Sequence, residues 1–114
     1  METALFVGAG GAVGAVCRYF VGTALSESPY PVPTLVVNVA GSFLLGLLLA
    51  LGSGDSLLLF AGVGFCGSFT TYSTFSVDTV RLYENSPVRA VVYAVGTLLA
   101  CVLAVGVAFL VTLL

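Results

Sequence analysis

The sequence predicts an all-α membrane protein of four transmembrane helices with a break in the third. Three observations carry this. Of 114 residues only 7% are charged and 60% are hydrophobic, with a mean hydropathy of +1.20. A soluble domain holds about 25% charged and about 45–50% apolar residues. The few charges leave four runs between them, each long enough for the roughly 20 apolar residues of a spanning helix. Finally, the third run contains a stretch dense in glycine and hydroxyls that does not suit an unbroken helix in lipid. The length fits one domain, 1–114, with spans at roughly 4–25, 33–52, 56–82 and 88–113.

Between Glu2 and Glu27 the first span meets one charge, Arg18. Gly10 and Gly14 are four apart, a small-residue pair of the kind that lets helix backbones approach closely in lipid. A cation inside a span must reach a carboxylate, helix-end carbonyls, water or the headgroups. Arg18 therefore has a structural or anion-attracting role, or it snorkels to the interface. No Lys or Arg precedes this span, so a secretory signal peptide is not expected.

Pro29, Pro31 and Pro33 mark a loop, and the second span follows without a charge until Asp55. Thr34, Asn38 and Ser42 fall four apart and share one face. An amide in a membrane helix needs partners for both its oxygen and its nitrogen. Asn38 is thus either interhelical glue or a donor on a polar path.

The third span opens after Gly52-Ser53-Gly54-Asp55. In its second half, seven of the nine residues from Ser68 to Ser76 bear a hydroxyl, and Gly64 and Gly67 stand just before or among them. Irregular backbone at membrane depth survives only where protein or a watery cavity covers it. A broken helix lining a path is the reading; hydroxyls bonding back to their own helix carbonyls are the bland alternative. After Pro87, the fourth span places Tyr93, Thr97 and Cys101 four apart, a second polar face.

Several classes fall away. Cys17, Cys66 and Cys101 have no metal-ligand spacing and the chain has no His. No nucleophile–base set, paired carboxylate or phosphate loop is present, so an enzyme is not expected. Without a basic patch, no nucleic acid partner is expected either; the surroundings are membrane lipid.

Gly11-Ala12-Val13-Gly14-Ala15-Val16-Cys17-Arg18-Tyr19, Asn38-Val39-Ala40-Gly41-Ser42-Phe43, and Gly64 to Ser76 followed by Asp78 resemble the Fluc (CrcB) fluoride channel family. The likeness runs the whole chain, and the third motif is long and specific. It implies a passive channel of the cell membrane that exports fluoride and protects the cell from its toxicity. It also implies an antiparallel, dual-topology dimer with two pores. At the two-fold axis it implies a structural sodium ion on the main-chain carbonyls of Gly67 and Thr70. The pore or fluoride-binding residues that it implies are Asn38, Tyr72, Ser73, Thr74, Phe75, Tyr93, Thr97 and Cys101. The sequence departs in having tyrosine at Tyr72 for the first of two phenylalanines, and Cys101 where a hydroxyl residue is usual.

The physics agrees with that resemblance. Fluoride is small and strongly hydrated, so a filter must replace its water with donors. Asn38, Ser73, Thr74 and Thr97 offer them, and aromatic rings have positive edges. Four helices cannot enclose a pore and its walls, so association is expected, with a second copy or an oppositely oriented paralogue. Two alternatives remain. One is a non-conducting or heterodimeric partner subunit. The other is a small proton-coupled multidrug exporter, which would need a carboxylate deep in the first span; none lies there.

Overall fold

The computed structural model describes residues 2–114, and among them there is no strand. The helices are α1 (Glu2–Ala24), α2 (Val32–Ala50), α3 (Asp55–Leu57), a π segment (Leu58–Cys66), α4 (Gly67–Phe69), α5 (Ser73–Asn85) and α6 (Pro87–Thr112). Four stretches are long and apolar enough to cross a membrane: Glu2–Ala24, Val32–Ala50, Asp55–Asn85 and Pro87–Thr112.

The ends follow local chemistry. Pro33 lies in the first turn of α2, where its missing N–H has no helical partner to lose. α2 stops at Ala50, two residues short of the expected 52, because Gly52 turns the chain at φ +64°. α5 runs to Asn85, beyond the expected 82, and ends at Ser86 (φ −158°, ψ 112°). Pro87 forces that extended residue before it. Ser86 then caps α6, its Oγ accepting the Arg89 N–H at 3.4 Å.

The third stretch is not regular. After one α turn it widens into the nine-residue π segment, and the Gly67 N–H reaches back to the Gly62 carbonyl. Long π stretches are rare and cluster at functional sites. The helical path ends at Phe69. Thr70 is extended (φ −82°, ψ 168°), and helix resumes at Ser73.

Packing rests on small residues. α1 lies along the π segment and α4, α2 along α6, and α5 against α6. A Cβ on Gly14 would fall on the Phe65 carbonyl, and one on Gly64 would meet the Val7 carbonyl at 2.6 Å and Gly10 Cα at 3.0 Å. The small pair of α1 thus packs on the π segment backbone to backbone, Gly10 against Gly64 and Gly14 against the Phe65 main chain. Gly46 does the same for α2: a Cβ there would stand 3.0 Å from Ala108 Cβ. Facing outward are apolar side chains, among them Val91, Val95, Leu98 and Val102. That suits a surface facing lipid or another chain rather than water.

Candidate functional site

The site forms around residues 70–72, where the chain leaves helical geometry. In a continuing helix the Thr71 N–H would bond the Gly67 carbonyl. Here it donates to Asn38 Oδ1 at 2.8 Å, while Asn38 Nδ2 donates to the Thr71 carbonyl at 3.0 Å. One amide of α2 therefore clamps both main-chain groups of Thr71. It leaves the Gly67 carbonyl without its helical donor and Asn38 with one free N–H. The face shared by Thr34, Asn38 and Ser42 is used at each of its first two positions, because Thr34 Oγ1 donates to Asp78 Oδ2 at 2.7 Å.

Arg18 comes to the same place from α1. Its Nη1 donates to the Thr70 carbonyl at 3.3 Å. The guanidinium is thus engaged by the non-helical segment rather than turned away to the headgroups. Gly41 makes room from α2: a Cβ there would fall on the Thr70 Cγ2 methyl.

The hydroxyl-rich stretch divides. Ser68 Oγ lies 2.7 Å from the Gly64 carbonyl and 2.8 Å from the Gly11 carbonyl, its single proton shared between them, and so links α4 to α1. Thr70 Oγ1 bonds the Cys66 carbonyl at 2.8 Å and Ser76 Oγ the Tyr72 carbonyl at 2.9 Å. For these three the bland reading of back-bonded hydroxyls holds in full or in part. Thr71 Oγ1 instead accepts the Thr74 N–H at 3.2 Å at the start of α5, and sits 3.3 Å from Ser73 Oγ.

A groove of about 810 Å³ runs beside this segment, between α2, the π segment and α6. Asn38, Gly67, Thr70, Tyr72, Phe75, Thr97 and Cys101, all singled out from sequence, line it. Apolar neighbours such as Leu45, Val63 and Leu98 complete its walls. The Tyr72 and Phe75 rings are 6.1 Å apart and tilted by 38°. Thr97 is 5% exposed, and its Oγ1 has no hydrogen-bond partner. Tyr93 packs behind Phe75, ring centroids 5.4 Å apart, with its own hydroxyl buried and unpartnered.

Four of the sequence-chosen residues do not line the groove. Arg18 and Ser73 act on its edge through Thr70 and Thr71, and Tyr93 lies behind it. Thr74 lines a second, more polar hollow of about 450 Å³ with Thr34, Asp78 and Arg81. The sequence reading missed two features. The pairing of Thr34 with Asp78 had a signal, since Thr34 opens the polar face of α2. The π segment had a fainter one in Gly62 and Gly64.

Four membrane-length helices, with a mainly apolar groove between three of the stretches and a clamped non-helical segment at its side, define a multi-pass α-helical membrane protein. A family model described as "CrcB-like protein, Camphor Resistance (CrcB)" matches residues 5–109. The chain belongs to that family. It is 51% identical to "Fluoride-specific ion channel FluC 2" of Haloarcula marismortui, over 96% of this chain and 92% of that one. It is 50% identical to "Fluoride-specific ion channel FluC 1" of Halobacterium salinarum, over 94% and 91%. With "Fluoride-specific ion channel FluC 1" of Geobacillus kaustophilus it shares 43% identity, over 87% and 88%.

Proposed function

We propose that this protein is a passive, fluoride-selective channel of the cell membrane, not an enzyme, through which fluoride leaves the cell before it reaches toxic levels. The observation that carries this is the Thr97 hydroxyl, buried and unpartnered on the wall of the groove beside the clamped segment. A buried polar group without a partner costs about 1–3 kcal/mol, so a ligand that accepts its hydrogen recovers that cost. The names of its relatives say which ion.

In this reading residues 70–72 are the break of a single third span. Asn38 holds the break open and offers its remaining N–H, Thr97 offers its O–H, and each replaces a water of the ion. The edges of Phe75 and Tyr72 carry partial positive charge and exclude bulk water. Ser73, Thr74, Tyr93 and Cys101 extend or back this path. Tyr72 is 80% exposed in the single chain. An open groove with an exposed aromatic wall calls for a second chain to close it, and an antiparallel dimer would form two equivalent pores.

Sodium is the cation proposed for the two-fold axis. The residues fit it. The Gly67 carbonyl has lost its helical donor to Asn38, and Thr70 is extended with its carbonyl outside any helical bond. Hard cations prefer oxygen, and two carbonyls from each chain give four ligands. When bound, the ion would supply fixed positive charge that eases an anion's stay nearby.

Liposomes holding only the purified chain test the function. Fluoride efflux without chloride efflux is expected; well-folded dimers that pass no fluoride would refute it. A second reading, one subunit of a heterodimer, is favoured by two observations. Arg89 gives one side of the membrane a slight basic excess, and several relatives bear the numbers 1 and 2 in their names. Efflux that appears only after an oppositely oriented paralogue is added would establish it.

A further inference from the structure

Arg18 and the proposed sodium ion converge on one atom. The guanidinium already donates to the Thr70 carbonyl at 3.3 Å, and that carbonyl is one of the two main-chain ligands proposed for the cation. We infer that Arg18 is a positioning residue that sets the cation selectivity of the break, weakening sodium and shutting out divalent ions. The inference rests on the sodium reading.

A carbonyl oxygen has two lone pairs, so a guanidinium and a cation can share it. Sharing has an electrostatic consequence. Arg stays protonated at every accessible pH, so its charge is permanent. Its partner here is a main-chain carbonyl, and among the described residues no carboxylate pairs with it to cancel that charge. A second cation on the same oxygen meets both a less available lone pair and direct repulsion. Repulsion scales with the charge of the incoming ion, so a divalent cation suffers twice what sodium does. In a symmetric dimer two such guanidinium groups act on one central ion. Carbonyl ligands alone would not reject calcium, which takes backbone oxygens readily. Arg18 supplies the rejection that the ligand set lacks.

The test reads ion binding rather than efflux. The dissociation temperature of the purified dimer is measured while sodium, or calcium, replaces N-methylglucamine. In the wild type, sodium stabilises and millimolar calcium does not. Arg18→Gln and Arg18→Met, both neutral, are expected to reach half-maximal stabilisation at about tenfold less sodium, from loss of repulsion at a distance of one shared ligand. They are also expected to gain stabilisation by calcium. Arg18→Lys keeps the charge and should behave as the wild type does. Unchanged or weaker sodium affinity in both neutral variants would overturn the inference. So would failure of both to form dimers, because a group that opposes the cation is not one the assembly needs. A different signature, no sodium effect on the wild type or on any variant, would instead sink the sodium reading on which the inference stands.

Discussion

A hydroxyl kept buried without a partner has to be explained, since it costs stability in the chain that carries it. Thr97, 5% exposed, is such a group. Thr97→Val keeps the shape and removes the unpartnered donor. It is expected to leave dimer stability unchanged or raise it by up to about 1 kcal/mol, while fluoride efflux falls at least tenfold. Calorimetry and efflux on one sample check the two opposite signs; equal efflux would mean that Thr97 does not touch the ion. Asn38 behaves differently, because it holds the Thr71 main chain from both sides. Asn38→Asp preserves the acceptor for the Thr71 N–H, loses the donor to the Thr71 carbonyl, and puts a negative charge on an anion's path. Conduction is expected to disappear with only modest loss of dimer, and an Asp variant of full activity would remove Asn38 from the path. For Phe75→Ile, apolar bulk remains and the positive ring edge goes, so efflux should fall sharply in an assembled dimer, whereas Tyr72→Phe should be tolerated. Asn38 and Thr97 were legible in the sequence because polar groups at fourfold spacing inside apolar helices stand out. What they bond to was not. The clamp joins residues 33 apart in sequence, and nothing local in Asn38 or Thr71 encodes the meeting.

At the scale of elements, the four membrane-length helices were legible because charges and prolines bound the apolar runs. The interior of the third stretch was legible only in part. Its glycines and hydroxyls signalled irregular backbone, but the widening of residues 58–66 into a π segment, against which α1 packs, has no local pattern that announces it. That contact gives a clear prediction. Gly14 is buried and a Cβ would fall on the Phe65 carbonyl, whereas Gly22, also in α1, has nothing within 4 Å. Gly22→Ala should stabilise by roughly 0.5–1 kcal/mol through helix propensity alone. Gly14→Ala gains the same propensity but must push α1 off the π segment, an overpacking cost of about 1–3 kcal/mol. A lower dissociation temperature for Gly14→Ala and a higher one for Gly22→Ala is the expected pattern. If both variants shifted upward, the backbone contact between α1 and the π segment would not be a structural one.

At the scale of the whole molecule, the proposed dimer depends on which way each chain inserts into the membrane. The groove is open along one side in the single chain, and Tyr72 stands exposed on it, so the proposed channel needs a second chain to close it. Charge sets which way each chain inserts. The N-terminus, the turn near Asp55 and the C-terminus share one side and hold no Lys or Arg; Arg81 and Arg89 lie toward the other. Cytoplasmic loops normally carry the excess of basic residues, which by itself would place both termini outside. Two of the three arginines are weak votes, however. Arg18 is held by the Thr70 carbonyl inside the fold, and Arg81 lies on the third stretch itself, lining the polar hollow that Asp78 shares, so both count for less than a loop charge. Arg89 is left as the one clear vote, and a single charge gives a small bias. The expected outcome is insertion in both orientations and a homodimer. C-terminal fusions to two reporters, one active only in the cytoplasm and one only outside, should both give signal at comparable levels. Introducing a Lys beside Asp55 should then shift the ratio strongly toward termini inside, because the existing bias is slight. Signal from one reporter alone in the unmodified chain would mean fixed orientation, and a chain of opposite bias would be needed to close the groove.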